Sequence, residues 1–195
     1  MIFADLVLES QSVSPRSSAR AWTTKRKLHI CHVVSEVDPF SRSGGLASVA
    51  AALPRAHHEL GHKVTIITPF YSQVINAEER GLTLLSDELS VGLTRDTVTT
   101  TSLWQGTLPY SDVPVYLIGH DEFFSDEKLY GSAKENLKFL FFDAAVLEVI
   151  RRLGTAPDII HCHDWHTGLI PYFLRGRFKH EEFWQHTATV FTIHN

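Results

Sequence analysis

The run Leu28-His29-Ile30-Cys31-His32-Val33-Val34-Ser35, the turn Arg42-Ser43-Gly44-Gly45-Leu46 and the pattern that continues to Leu60 decide how this chain folds. Leu28 to Ser35 is a short apolar run of strand length. Leu46, Val49, Ala50, Leu53 and Leu60 then recur at helical spacing, and Gly61 stands where a glycine ends a helix. Lys63 to Thr68 follows as a second buried strand, punctuated by Pro69. Strand, glycine turn, helix and strand make one βαβ unit. Pro54 lies inside the helical pattern, where it removes a donor and crowds the preceding turn, so a kink is expected there.

Outward from that unit the alternation continues. Between Gly81 and Gly119 the pieces Leu82 to Leu85, Thr97 to Trp104 and Val113 to Ile118 read as strands with a hairpin-like excursion. Ser132-Ala133-Lys134-Glu135 matches a capping box, with Leu137, Leu140, Phe141, Ala144 and Leu147 on one helical face behind it and Gly154 to end it. Asp158 to His163 is a strand, Thr167 to Arg175 a helix ended by Gly176, and Thr187 to Ile193 a last strand. The expected fold is α/β: a Rossmann-like, mainly parallel sheet flanked by helices. Ligands of such sheets lie beyond the carboxyl ends of the strands.

Composition narrows the ligand. The 195 residues, 44% hydrophobic and 21% charged with a net charge of −4, fit one globular domain with a substantial core. No apolar run approaches the ~20 residues a membrane crossing needs, and no basic stripe marks nucleic acid as a partner. Cys31 and Cys162 each sit in a buried-strand run, so packing explains them better than a disulfide and a reducing compartment is expected. Residues 1–27 are polar and aperiodic around Glu9 to Ser18, and are expected to be a disordered leader. Their Ser and Arg also fit an organelle transit peptide; the plain extension is favoured.

Three loops carry unusual chemistry. Between Glu36 and Gly45, paired glycines let the backbone approach a ligand, the helix N-terminus favours an anion, and Arg42 offers a fixed positive charge for phosphate oxygens. A glycine-rich connection with a solvated arginine accounts for the same residues, and neither GxGxxG nor GxxxxGK[ST] is present. In His161-Cys162-His163-Asp164-Trp165-His166, His161 and His163 share one strand face, but their spacing matches no standard zinc pattern and no metal is expected. Asp164 at the strand end can accept from sugar hydroxyls beside the apolar face of Trp165, or both can cap and pack the next helix. Thr192-Ile193-His194-Asn195 places a histidine at another strand end, fit for a sugar, for developing charge or for an ordinary turn.

Taken together, Ser35-Glu36-Val37-Asp38-Pro39-Phe40, Arg42-Ser43-Gly44-Gly45-Leu46, Ala52-Leu53-Pro54, Gly61-His62-Lys63-Val64, Leu129-Tyr130-Gly131, Pro157 to His166 and Val190 to Asn195 resemble the starch and glycogen synthases. These are retaining glycosyltransferases of the two-Rossmann-domain GT-B type, and the segments stand in that family's order from Leu28 onward. The resemblance implies transfer of glucose from ADP-glucose to the non-reducing end of an α-1,4-glucan. No further cofactor is implied. It places Asp164 and His194 at the glucosyl site as catalytic residues. Arg42, Gly44, Gly45 and Asn195 fall on the donor side, and Glu36 near the acceptor.

Two departures stand out. Arg42 occupies the family's lysine position in K-x-G-G-L, and Ser48 stands where an aspartate is usual. The resemblance further implies that residues 28–195 are the N-terminal catalytic domain, truncated before a second Rossmann domain and inactive without it. Alternatives are a related GT-B transferase with another nucleotide-sugar donor and a non-catalytic glucan-binding remnant. A bacterial cytoplasmic location is expected, with the plastid as the alternative.

Overall fold

The computed structural model describes residues 26–93 and 97–194. The expected leader therefore lies outside the described residues except for Arg26 and Lys27, and so does Asn195. Seven strands form one sheet: β1 (His29–Val33), β2 (Lys63–Pro69), β3 (Thr83–Gly92), β4 (Val98–Thr107), β5 (Pro114–Gly119), β6 (Ile159–His163) and β7 (Ala188–Thr192). Three helices accompany it: α1 (Leu46–Glu59), α2 (Glu135–Arg152) and α3 (Leu169–Arg175). The strand order is β3-β4-β5-β2-β1-β6-β7. The β1–β2, β1–β6, β2–β5 and β6–β7 pairings are parallel, while β3–β4 and β4–β5 are antiparallel, which is the expected excursion.

This order has a functional corollary. The chain runs from β1 outward to β2 and β5, then returns to the other side of β1 for β6 and β7. The reversal opens a crevice between the carboxyl ends of β1 and β6, the place where open α/β sheets take ligands. The segments after β1 and β6 are the ones that carry the Glu36–Gly45 turn and Asp164.

Successive side chains of β1 and β6 go to opposite faces. His32, His161 and His163 share one face, beneath α1, because His57 of that helix bonds His32. Cys31, Val33 and Cys162 pack on the other. Both cysteines are free and buried, and burial pushes the Cys31 thiol up to about 12. The α1 helix closes with a Schellman turn: Gly61, at φ 87°, donates to His58 O at 2.8 Å, and His62 donates to His57 O at 3.2 Å.

Two expectations about the helices need correction. The buried stripe of α1 is Ala47, Ala50, Ala51 and Pro54, while Val49 and Leu60 are exposed. Small side chains let the helix lie close to the sheet, which leaves the larger ones at its margins. Leu137 of α2 is also exposed, and Ser132 does not cap that helix through its side chain. Glu135 instead accepts from Gly131 N at 2.9 Å through Oε1, since left-handed Gly131 presents its own N–H to the helix start.

Candidate functional site

A cavity of about 620 Å³ occupies the crevice. Its walls come from the turn after β1, the start of α1, the Tyr130 loop, and the chain ends after β6 and β7. Glu36, Gly44, Gly45, Asp164 and His194 all line it, so five residues singled out in sequence meet in one place.

The turn is held from beneath. Buried Glu36 accepts from Ser43 N at 2.5 Å through Oε2. A Cβ on Gly44 would meet only Glu36 Oε1 at 3.8 Å, and one on Gly45 would meet nothing within 4 Å. Neither glycine has a left-handed φ. Their use is therefore space: the volume a side chain would fill belongs to the cavity, and a ligand can approach the backbone directly. Gly45 precedes α1, and among the described residues no side chain caps that helix start. Its first amides are available for an anion.

Arg42 stands apart from this wall. Its side chain is 61% exposed and its guanidinium donates to Asp38 Oδ2 at 3.1 Å, the same oxygen that accepts from Ser48 Oγ at 3.1 Å. The two departures from the family pattern thus share one carboxylate. Asn195, the remaining donor-side residue, lies outside the described residues.

Asp164 follows β6 at φ 65°, ψ 175°, a conformation that L side chains rarely adopt. Its backbone is fixed from several sides. Asp164 N donates to Thr192 O at 2.9 Å, and Asp164 O accepts from Thr167 N at 3.1 Å and Thr167 Oγ1 at 3.0 Å. Its carboxylate reaches His194 N at 3.5 Å and does not cap the short turn Trp165–Thr167 that follows.

The remaining wall is aromatic. Trp165, His166 and Tyr130 line it, with His166 ring centroids 4.2 Å from Trp165 and 4.8 Å from Tyr130. Burial lowers His166 to about 4, so the ring is neutral near pH 7, and its buried Nδ1 has no partner among the described residues. Tyr130 hydroxyl meets Ser35 Oγ at 2.7 Å, and buried Lys138 donates to Leu129 O at 2.8 Å, which fixes the loop that carries Tyr130. Tyr130 and His166 received no role at the site from the sequence, and Glu135 only that of a capping-box residue. The Leu129-Tyr130-Gly131 segment was the one signal pointing to that loop.

His194 is tied to the core through other histidines. His163 Nδ1 lies 3.0 Å from His194 Nε2, His32 Nδ1 lies 3.0 Å from His163 Nε2, and His57 Nδ1 lies 3.0 Å from His32 Nε2. His161 stacks on His163 at 4.1 Å and bonds Thr192 Oγ1 at 2.7 Å. His32, His161 and His163 bring one nitrogen each within 4.8 Å of one another. Within this group His32 and His163 are hydrogen-bonded to each other, which engages one nitrogen of each, while His161 is turned to Thr192. Burial, then the neighbouring imidazoles, lower His32 to about 2 and His163 to about 3.

Residues 29–195 match the family model described as starch synthase catalytic domain. The chain belongs to that family. It is 43% identical over 173 residues to a glycogen synthase of Geotalea uraniireducens, covering 86% of this chain and 35% of the relative. A glycogen synthase of Photobacterium profundum is 40% identical over 177 residues, covering 88% and 34%. The catalytic domain of starch synthase IV from Arabidopsis thaliana, solved bound to ADP and acarbose, superposes with a TM-score of 0.78 at 30% identity, over 87% of this chain and 34% of that one. The chain spans about a third of the length of the curated relatives it matches. Like that neighbour, it is an α/β Rossmann-like unit of the GT-B kind.

Proposed function

We propose that this chain forms one half of the site of a retaining glucosyltransferase that moves glucose from ADP-glucose to the end of an α-1,4-glucan. The observation that carries the reading is the meeting of Gly44–Gly45 and Asp164 across one cavity at the sheet's reversal. The open backbone and the first amides of α1 suit a diphosphate. Asp164 accepts from glucosyl hydroxyls, His194 stabilises charge as the sugar–phosphate bond breaks, and Glu36 stands toward the acceptor. Trp165 and Tyr130 offer ring faces to the apolar side of a sugar. Arg42 reaches the donor phosphates by leaving Asp38, and Asn195 completes the donor side.

The family relationship and the ADP in the Arabidopsis neighbour support the donor assignment. A different nucleotide donor is the second reading, favoured by the engagement of Arg42 and Ser48 with Asp38 in place of the cavity. Residues 28–195 are proposed as the first of two Rossmann domains, the second supplying the other cavity wall, and the whole as a bacterial cytoplasmic enzyme. Among the described residues no helix is long and apolar enough to cross a membrane.

The test joins this chain to the downstream two-thirds of a relative and measures glucan elongation from ADP-glucose and UDP-glucose. Elongation from ADP-glucose that is lost in Asp164→Asn is the expected result. Elongation from UDP-glucose alone establishes the second reading, and maltooligosaccharide binding with transfer from neither donor overturns both.

A further inference from the structure

The four imidazoles of His57, His32, His163 and His194 form an unbroken row from the end of α1 to the cavity, with three nitrogen–nitrogen contacts of 3.0 Å. The two inner rings are fully buried, while His57 is only partly buried. A neutral imidazole has one donor and one acceptor. With both inner rings neutral, only two arrangements satisfy all three bonds: every ring donates toward the cavity, or every ring donates away from it. Burial and mutual repulsion keep His32 and His163 neutral across ordinary pH.

We propose that this row is a proton relay, in which a proton taken up by His194 in the cavity is matched by one released from His57 at the surface end.

The steps balance. In the outward arrangement His194 Nε2–H donates to His163 Nδ1, His163 Nε2–H to His32 Nδ1, and His32 Nε2–H to His57 Nδ1. A proton arriving at His194 Nδ1 sends each of those protons one ring along, and His57 Nε2–H passes to water. The row ends in the inward arrangement, with one proton gained at the cavity, one lost outside and no ring left charged. The reverse sequence resets it. A charged end ring has no lone pair and must donate into the row. Charging His57 and His194 together would therefore require His32 or His163 to accept at both nitrogens, which a neutral imidazole cannot do. Protonation of one end opposes protonation of the other, and by linkage the opposition is mutual.

Other groups act on the ends. His62 faces His57 from the loop after α1, His161 faces both His57 and His163 from β6, and Asp164 approaches His194 from beyond β6. None of them closes the row. If the site performs the proposed transfer, the cavity is where an acceptor hydroxyl loses its proton. The relay itself does not require that reading.

Its test therefore reads ring nitrogens and not transfer, so its failure and that of the transferase reading are separable. Two-bond proton–nitrogen spectra of the nitrogen-labelled 195-residue chain are followed over pH. His57→Gln keeps a donor and an acceptor at a half-exposed position but carries no charge. It is expected to raise the His194 midpoint, by less than the full coupling because burial and then His62 lower His57 and leave it only partly charged. His32→Phe cuts the row, and the effect of His57→Gln is expected to vanish in that background, whereas a through-space effect would persist. If His32→Phe does not fold, the parent spectra decide. His194 carrying Nε2–H while His57 is doubly protonated overturns the relay, as does a His194 midpoint that His57→Gln leaves unmoved.

Discussion

At Asp164 the backbone sits at φ 65°, ψ 175° with only 4% of the residue exposed. Holding a non-glycine residue there costs ~1–3 kcal/mol. The backbone bonds to Thr192 and Thr167 do not involve its side chain. Asp164→Gly should therefore fold at least as stably, by about 1 kcal/mol in urea denaturation, while the joined enzyme loses glucan elongation. Asp164→Ala keeps the strain and loses the carboxylate, so a stability gain common to both variants would refute the strain argument. The His-Asp-Trp-His string marked this strand end in the sequence, but nothing in it announced the positive φ. The glycine pair was legible as a stretch of open backbone, since the space beside Gly44 and Gly45 is cavity. The charge of Arg42 was legible and its direction was not. Whether it meets Asp38 four residues earlier or the cavity depends on the course of the turn, which residue types alone do not specify.

Elements are joined by groups whose burial no periodicity reveals. Asp143 lies inside α2, buried, and its Oδ2 accepts from Leu169 N at 2.8 Å, so it anchors the start of α3 behind the cavity wall. Burial raises its carboxyl well above the usual range, outweighing the backbone donors of Leu169 and Ile170. A raised folded pKa gives stability that is whole below about pH 3.9, where the unfolded carboxyl is also protonated, and that is lost as pH rises through the folded value. Asp143→Asn keeps an oxygen for Leu169 and removes the ionisation. Its urea midpoint should exceed the parent's at pH 8, and the difference should shrink toward pH 4; a constant difference would mean that Asp143 is not held protonated. The alternation of strands and helices, including the antiparallel excursion, was readable because apolar runs of strand and helix length are set off by Gly and Pro, although β3 runs on to Gly92, past the expected end at Leu85. Which helix face is buried was read less well: α1 packs through alanines, whose weak hydrophobic signal is outweighed in a sequence by exposed Val49 and Leu60.

Across the whole molecule, three elements distant in sequence meet through histidine. β1 and β6 are paired in register at His32 and His161, and α1 adds His57 above them. A reading of the sequence took His161 and His163 as strand neighbours but had no means of bringing His32 to them, since that contact exists only once β6 returns beside β1. The cluster ties stability to pH. His32 and His163 are lowered to about 2 and about 3, so above pH 6.5 both folded and unfolded chains hold them neutral and stability is whole. Below that, the unfolded chain takes up protons that the folded one refuses, and each ring withdraws ~1.4 kcal/mol per pH unit until its folded value is reached. The two together remove ~5 kcal/mol between pH 6.5 and about 4.5, comparable to the entire stability of a small domain. Urea titrations at pH 7, 6 and 5 should show the midpoint falling steeply in this interval, before carboxylates near pH 4 begin to contribute. The His32→Phe variant, if folded, should show a shallower fall, because an apolar ring binds no proton in either state, while His163 and the lowered His166 keep contributing. Stability that is level from pH 7 to pH 5 would show that the inner rings charge in place, and an imidazole row that accepts charge at its centre would no longer oblige its two ends to alternate.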